Sequence, residues 1–245
     1  MNAETDMRPT RGGGRLLARR RSMLAAVPKD LALDLFERAF VVALFVVFAD
    51  RMLGRLATLI ALQIEHPELI VAAATMNIGA ILLVLSESLG VFLILVRRRT
   101  PTLSSHPLDW ALSFAAVNAP LLTVPAAAST FVPPHVASAL MFAGLVIQIS
   151  AKATLWRSFG IVPANRGIKT VGIYRLVRHP VYAGYSVTHI GFLIGFPNVW
   201  NAFLYVAVMA VQIARIMREE RLLADDPVYR AYMQRVRYRL LPGIF

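Results

Sequence analysis

The chain has 245 residues, 57% of them hydrophobic, and carries 26 Lys and Arg against 14 Asp and Glu, a formal net charge of +12. It has no Cys, which excludes disulfides, a thiolate nucleophile and a Cys-ligated metal. Its apolar residues come in long blocks with the basic residues beside them. That pattern speaks against a nucleic-acid surface and for topology signals with affinity for anionic lipid headgroups.

Residues 1–30 are polar and basic, with a triple Gly at 12–14, and read as a flexible or surface-lying tail. They lack the apolar stretch and small-residue cleavage site of a signal peptide. Six candidate spans follow, at roughly 33–49, 69–96, 108–128, 135–154, 181–196 and 198–214. The segment 50–66 reads as an amphipathic continuation of the first span. Leu53, Leu56, Leu59, Ile60 and Leu62 fall near one face of it, with Arg51 and Arg55 on the other.

The second span is the clearest, because Leu69 to Val96 is 28 residues with Glu87 as its one ionisable side chain. As a helix it is about 42 Å long, more than the ~30 Å hydrocarbon core. Backbone polar groups find no water in lipid, so such a stretch must be helical. Pro120 and Pro125 are expected to kink the third span. The fifth and sixth are short and joined by Phe196-Pro197-Asn198, which predicts a C-terminal helical hairpin. The expected fold is an all-α polytopic membrane protein of about six transmembrane helices. It divides into the tail 1–30, N-terminal spans over 31–154 and a C-terminal region over 155–245.

Lys and Arg number seven in 1–30, three in 97–107, six in 152–180 and seven in 215–245. The intervening connections hold Arg51 and Arg55 and otherwise none. Six spans put all four basic segments on one face, which the positive-inside rule makes cytoplasmic, together with both termini. On this topology the segment before 181 and the segment after 214 meet at one rim. His179 stands at one arm of the hairpin, and Arg215, Glu219 and Glu220 at the other. Pro180 suits a first helical turn, where its missing N–H costs nothing.

The run Arg178-His179-Pro180-Val181-Tyr182-Ala183-Gly184, followed one apolar helix later by Glu219-Glu220, resembles the isoprenylcysteine carboxyl methyltransferase family. More distantly it resembles the phospholipid N-methyltransferases. Ser158-Phe159-Gly160 and Gly172-Ile173-Tyr174-Arg175-Leu176-Val177 extend the likeness, which covers about 155 to 240. The resemblance implies an integral membrane enzyme using S-adenosylmethionine and releasing S-adenosylhomocysteine. It implies a cofactor pocket lined by Gly167, Ile168, Lys169, Tyr174, His179, Pro180, Val181 and Tyr182. Glu219 would contact the cofactor with Glu220 beside it, and Arg215 would contact the substrate. Arg215 and Glu219 are thus the expected catalytic pair.

The acceptor is expected to be a lipid or isoprenoid that enters from the bilayer. Carboxyl O-methylation of an isoprenoid or prenylcysteine-like molecule is favoured, because a carboxylate needs a cation at the rim and Arg215 can hold one bidentately. Methylation of a phospholipid amine is the alternative enzyme reading. A catalytically silent scaffold or transport component that keeps the motif is the alternative outside enzymes. The membrane is the inner membrane of a bacterium or the endoplasmic reticulum of a eukaryote.

Each residue also has a plainer explanation. Arg215 and Glu219 are four apart, the spacing of a helix-end ion pair. Tyr174 and Tyr182 suit an interfacial aromatic belt. His189 suits a hydrogen bond between helices. Glu87 is equally a hydrogen-bonded helix contact or a substrate-binding group, since an acid at that depth normally faces the bundle interior with a partner. The five His, at 66, 106, 135, 179 and 189, show no ligand spacing, so no metal site is expected. Asp226-Pro227 reads as an N-cap and first-turn Pro for a short helix carrying Tyr229 and Tyr232.

Overall fold

A computed structural model describes residues 28–65, 70–124, 129 and 131–245. The basic tail up to residue 27, His66 and Pro125 lie outside the described residues, as do the side chains of Arg55, Leu59 and Leu62. Within the described residues the protein is helical, with seven α-helices and a single isolated β-bridge, Leu103 to Ala164.

Helix α1, Lys29–Glu65, is one uninterrupted 37-residue rod that absorbs both the first span and its amphipathic continuation. Helix α2, Ile70–Val96, runs back against it and stops at Arg97-Arg98-Arg99. Helix α3, Pro107–Asn118, starts where His106 Nδ1 accepts from the N–H of Leu108 at 3.2 Å, with Pro107 in the first turn.

The third expected span does not run through to 128 as one helix. Pro120 has no N–H to give the ladder, and the backbone tightens into a 3-10 turn over Ala119–Leu122. Twelve α-helical residues reach only about 18 Å, well short of a hydrocarbon core. Among the described residues two helical stretches are long and apolar enough to cross a membrane, Pro134–Ser158 and Val199–Leu223. A shorter apolar stretch is Leu83–Val96.

Helix α4 is Pro134–Leu155, α5 is Pro180–Gly195 and α6 is Val199–Leu223. The expected pairing of α5 with α6 is not what dominates. The most extensive partner of α5 is α4, across the long 156–179 connection. Gly184 and Gly191 lie on that contact. A methyl added at Gly184 would stand 2.8 Å from Gly144 O, and one at Gly191 would stand 2.8 Å from Met141 N. Small residues let the two backbones approach in this way.

The other face of α5 carries Tyr182, Tyr185, His189 and Phe192, which line an internal cavity that α6 also borders. Asn198 caps α6, its Oδ1 accepting from Trp200 N at 2.9 Å, so the turn is tight although the arms make little contact. Rings on α5 and α6 meet along the cavity wall: His189 stacks on Tyr205 at 4.3 Å and Phe192 meets Tyr205 edge-on at 5.7 Å.

Helix α7, Pro227–Arg235, begins as the sequence implies, with Asp226 Oδ1 accepting from Val228 N at 2.8 Å. Tyr229 and Tyr232 are buried with Ala151, Tyr174, Val181 and Leu223 in the core under it. Tyr232 Oη donates to Tyr174 O at 2.7 Å, which ties α7 to the connection before α5.

Candidate active site

Two neighbouring carboxylates on α6 point to different neighbourhoods, because one residue along a helix turns the side chain by about 100°. Glu220 is a buried hub. Its Oε1 accepts from Arg178 Nε at 2.7 Å and lies 3.1 Å from His179 Nε2, while its Oε2 accepts from Arg239 Nε at 2.9 Å. Arg178 Nη1 donates on to Val236 O at 2.8 Å and Arg237 O at 2.7 Å. The start of α5, the end of α6 and the C-terminal segment are therefore held together through one carboxylate. His179 and the Glu pair come to one place, as the folding of two distant stretches onto one rim requires.

Glu219 faces the cavity instead and accepts from Tyr182 Oη at 3.1 Å. The Tyr182 ring lies 5.1 Å from the guanidinium of Arg215. Arg215 Nη2 donates to Ile161 O at 2.9 Å, and its buried Nε has no protein partner. Arg215 and Glu219 each turn to other groups, so the i,i+4 ion pair that their spacing allowed does not form.

The cavity is about 380 Å³, within the range of small-molecule sites. Gly167, Ile168 and Lys169 line it, as do Tyr174, His179, Val181 and Tyr182. Pro180 and Glu220 do not. Pro180 is packed in the first turn of α5, and the oxygens of Glu220 are committed to Arg178, His179 and Arg239. Gly167 has φ +103, a left-handed backbone that only glycine takes without strain. Its N–H donates to Asn165 Oδ1 at 3.0 Å, and Asn165 Nδ2 donates to Asp226 Oδ2 at 2.7 Å. The cap of α7 thereby braces the turn that borders the cavity.

Glu87 also lines the cavity, but its carboxylate already has a partner, Lys152 Nζ at 3.0 Å. Lys152 is fully buried and donates as well to Ser86 O and Ser86 Oγ, each at 3.0 Å. Sequence reasoning counted Lys152 among the cytoplasmic charges; it belongs to the interior of the bundle.

A second network escaped the sequence altogether. Glu37 of α1 accepts from the backbone N–H groups of Ile161 and Val162 at 2.9 and 3.1 Å. Arg97 pairs with Glu37 at 2.7 Å and with Asp34 at 2.6 Å. Three ionisable groups in the first span, Asp34, Glu37 and Arg38, were the available signal, since charges at such depth require partners. The effect is that the N-terminal helices hold the 159–166 loop, and that loop forms one wall of the cavity.

The polar character of this wall fits a ligand with both charges. Glu219 offers a carboxylate to a cation. Arg215 Nε and Tyr229 Oη are buried with no protein partner. Burial pushes the Tyr229 and Tyr174 phenols well above their usual range, and Tyr232 up to about 12, so all three stay protonated at neutral pH. Among the described residues no cluster of His, Asp or Glu is arranged to hold a metal ion.

Residues 134–229 match the family model described as phospholipid methyltransferase. That stretch, from α4 into α7, is therefore similar to the membrane methyltransferases related to the isoprenylcysteine carboxyl methyltransferases. No curated protein matches the chain.

Proposed function

From a C-terminal half related to lipid-directed methyltransferases, we propose that this protein is an integral membrane enzyme that uses S-adenosylmethionine to methylate a lipid-like acceptor. The observation that carries the reading is one cavity shared by Glu219, Tyr182, Arg215 and the Gly167 turn. We read the chain as a polytopic membrane protein, in a bacterial inner membrane or the endoplasmic reticulum. We take 155–245 as the catalytic region, with α4 packed against its first long helix.

The donor, when bound, supplies an electrophilic methyl group on a positively charged sulfur. The protein's part is positioning. Glu219, held by Tyr182, would meet the cationic portion of the donor. The turn at Gly167–Lys169 and the phenols of Tyr174 and Tyr229 line the same cavity. Arg215 presents a planar guanidinium to an acceptor carboxylate. A carboxylate oxygen is already a nucleophile, so no general base is needed. Carboxyl O-methylation of an isoprenoid or prenylcysteine-like acceptor follows, with a small isoprenoid or fatty acid as the bacterial counterpart. Methylation of a phospholipid amine is the second reading, and the family match is compatible with either.

The test is incubation of the purified protein with methyl-labelled donor and a membrane lipid extract, read by mass spectrometry. A labelled ester supports the first reading and a labelled amine the second. If folded protein neither labels a lipid nor binds S-adenosylhomocysteine in calorimetry, a catalytically silent scaffold is the better description.

A further inference from the structure

The 159–166 loop brings a second guanidinium to the cavity wall. Arg166 lines the cavity and is buried, its side chain 2% exposed. Its Nη1 donates to Val162 O at 3.4 Å, the carbonyl next to the Ile161 O that Arg215 holds. Its Nε and Nη2 have no hydrogen-bond partner, although Nη2 stands 3.5 Å from Glu37 Oε2. That carboxylate is already engaged by Arg97 and by two backbone N–H groups. Around it Asp34 and Glu37 face Arg38, Arg97 and Arg166, two carboxylates against three guanidiniums. One positive charge is left over on the side that faces the cavity, where Glu219 is the next carboxylate to act on it.

Burial, and next the repulsion of Arg97, lowers the Arg166 pKa to about 10, so the group still carries its charge at neutral pH. Buried cations are kept where an anion meets them, because an uncompensated charge in a low-dielectric site is costly. Space is also made for this side chain. A methyl added at Gly160 would stand 2.8 Å from Arg166 Cζ.

We propose that Arg166 and Arg215, seated on adjacent carbonyls of the 159–166 loop, form a paired guanidinium site for a carboxylate or phosphate group of a ligand in this cavity. Two forks with three unpartnered nitrogens between them can share the oxygens of one such anion. The anion is either the carboxylate of the donor's amino-acid portion or the acid group of the lipid acceptor. This inference rests on the methyltransferase reading for the identity of the donor, but the anion site itself does not.

The experiment compares wild type, Arg166→Gln and Gly160→Ala in detergent by calorimetry. The probes are S-adenosylhomocysteine, 5′-methylthioadenosine, which lacks the amino-acid portion, and dodecyl phosphate. Loss of a charge-assisted contact is expected to weaken binding about ten- to a hundredfold. If S-adenosylhomocysteine weakens by that factor in Arg166→Gln while 5′-methylthioadenosine does not, the anion is the donor's carboxylate. If dodecyl phosphate weakens and S-adenosylhomocysteine does not, the anion belongs to the acceptor. Gly160→Ala displaces the guanidinium without removing it and carries the test if Arg166→Gln does not fold. Unchanged affinity for both anionic probes in a folded variant overturns the proposal. Wild type that binds dodecyl phosphate but neither adenosine compound would sink the donor reading and leave the anion site standing.

Discussion

Glu219 and Glu220 are adjacent on one helix, and their surroundings differ. Glu220 is saturated by Arg178, His179 and Arg239 and stands outside the cavity. Glu219 has a single phenol, Tyr182, and faces the cavity. One carboxylate of the motif is therefore spent on architecture, and the other is left facing the cavity. The same division runs through the arginines: Arg178 closes the latch, while Arg215 keeps a nitrogen without a partner.

Breaking the latch should have the largest effect. Glu220→Ala strands the buried Arg178 and is expected to cost about 3–5 kcal/mol, read as a lower unfolding midpoint in detergent. A variant as stable as wild type would remove the architectural half of the contrast. Glu219→Gln should leave stability nearly unchanged and lose about 1.5–3 kcal/mol of donor binding or turnover, read by calorimetry with S-adenosylhomocysteine and by methyl transfer. If it destabilises as much as Glu220→Ala, the two carboxylates are not different in kind.

Overpacking the α4–α5 seam is the next step down. Gly191→Ala puts a methyl against Met141 and is expected to cost about 1–3 kcal/mol in the same unfolding assay. If the paired guanidiniums hold the acceptor's acid group, Arg215→Ala should reduce turnover with S-adenosylhomocysteine affinity kept within about twofold, which is less than the tenfold loss of a full charged contact. Unchanged turnover would argue against Arg215 as a substrate contact.

The smallest effect belongs to Asp226. The Asn165 side chain and then the Val228 N–H hold its carboxyl below the ordinary value. A depressed folded pKa supports stability above the unfolded pKa, and that support is lost as pH falls through the folded one. Asp226→Asn should therefore flatten only the acid limb of an unfolding profile, below about pH 4.

The helices and the rim motif were legible because their signals are local. Apolar runs marked the α1, α2, α4 and α6 rods, and Asp226-Pro227 marked the start of α7. The third span was misjudged because Pro120 ended the α-helix where a kink was expected. The α5–α6 hairpin was inferred from a short turn, but glycines on the opposite face of α5 chose α4 as the partner. Lys152 looked like a topology charge because it sits near a helix end, and only its contacts with Glu87 and Ser86 show otherwise.

By itself the sequence determined where backbone must be helical, since apolar length and proline position act within one segment. It also pointed, through the motif, to His179 meeting the Glu pair, and His179 Nε2 lies 3.1 Å from Glu220 Oε1. Tertiary structure alone decided which Glu is spent on cations and which faces the cavity. It alone decided that Glu37, more than a hundred residues away, holds the loop beneath Arg166 and Arg215. The reason is that a buried charge is defined by its partners, and those partners are chosen by packing between helices that no local pattern connects.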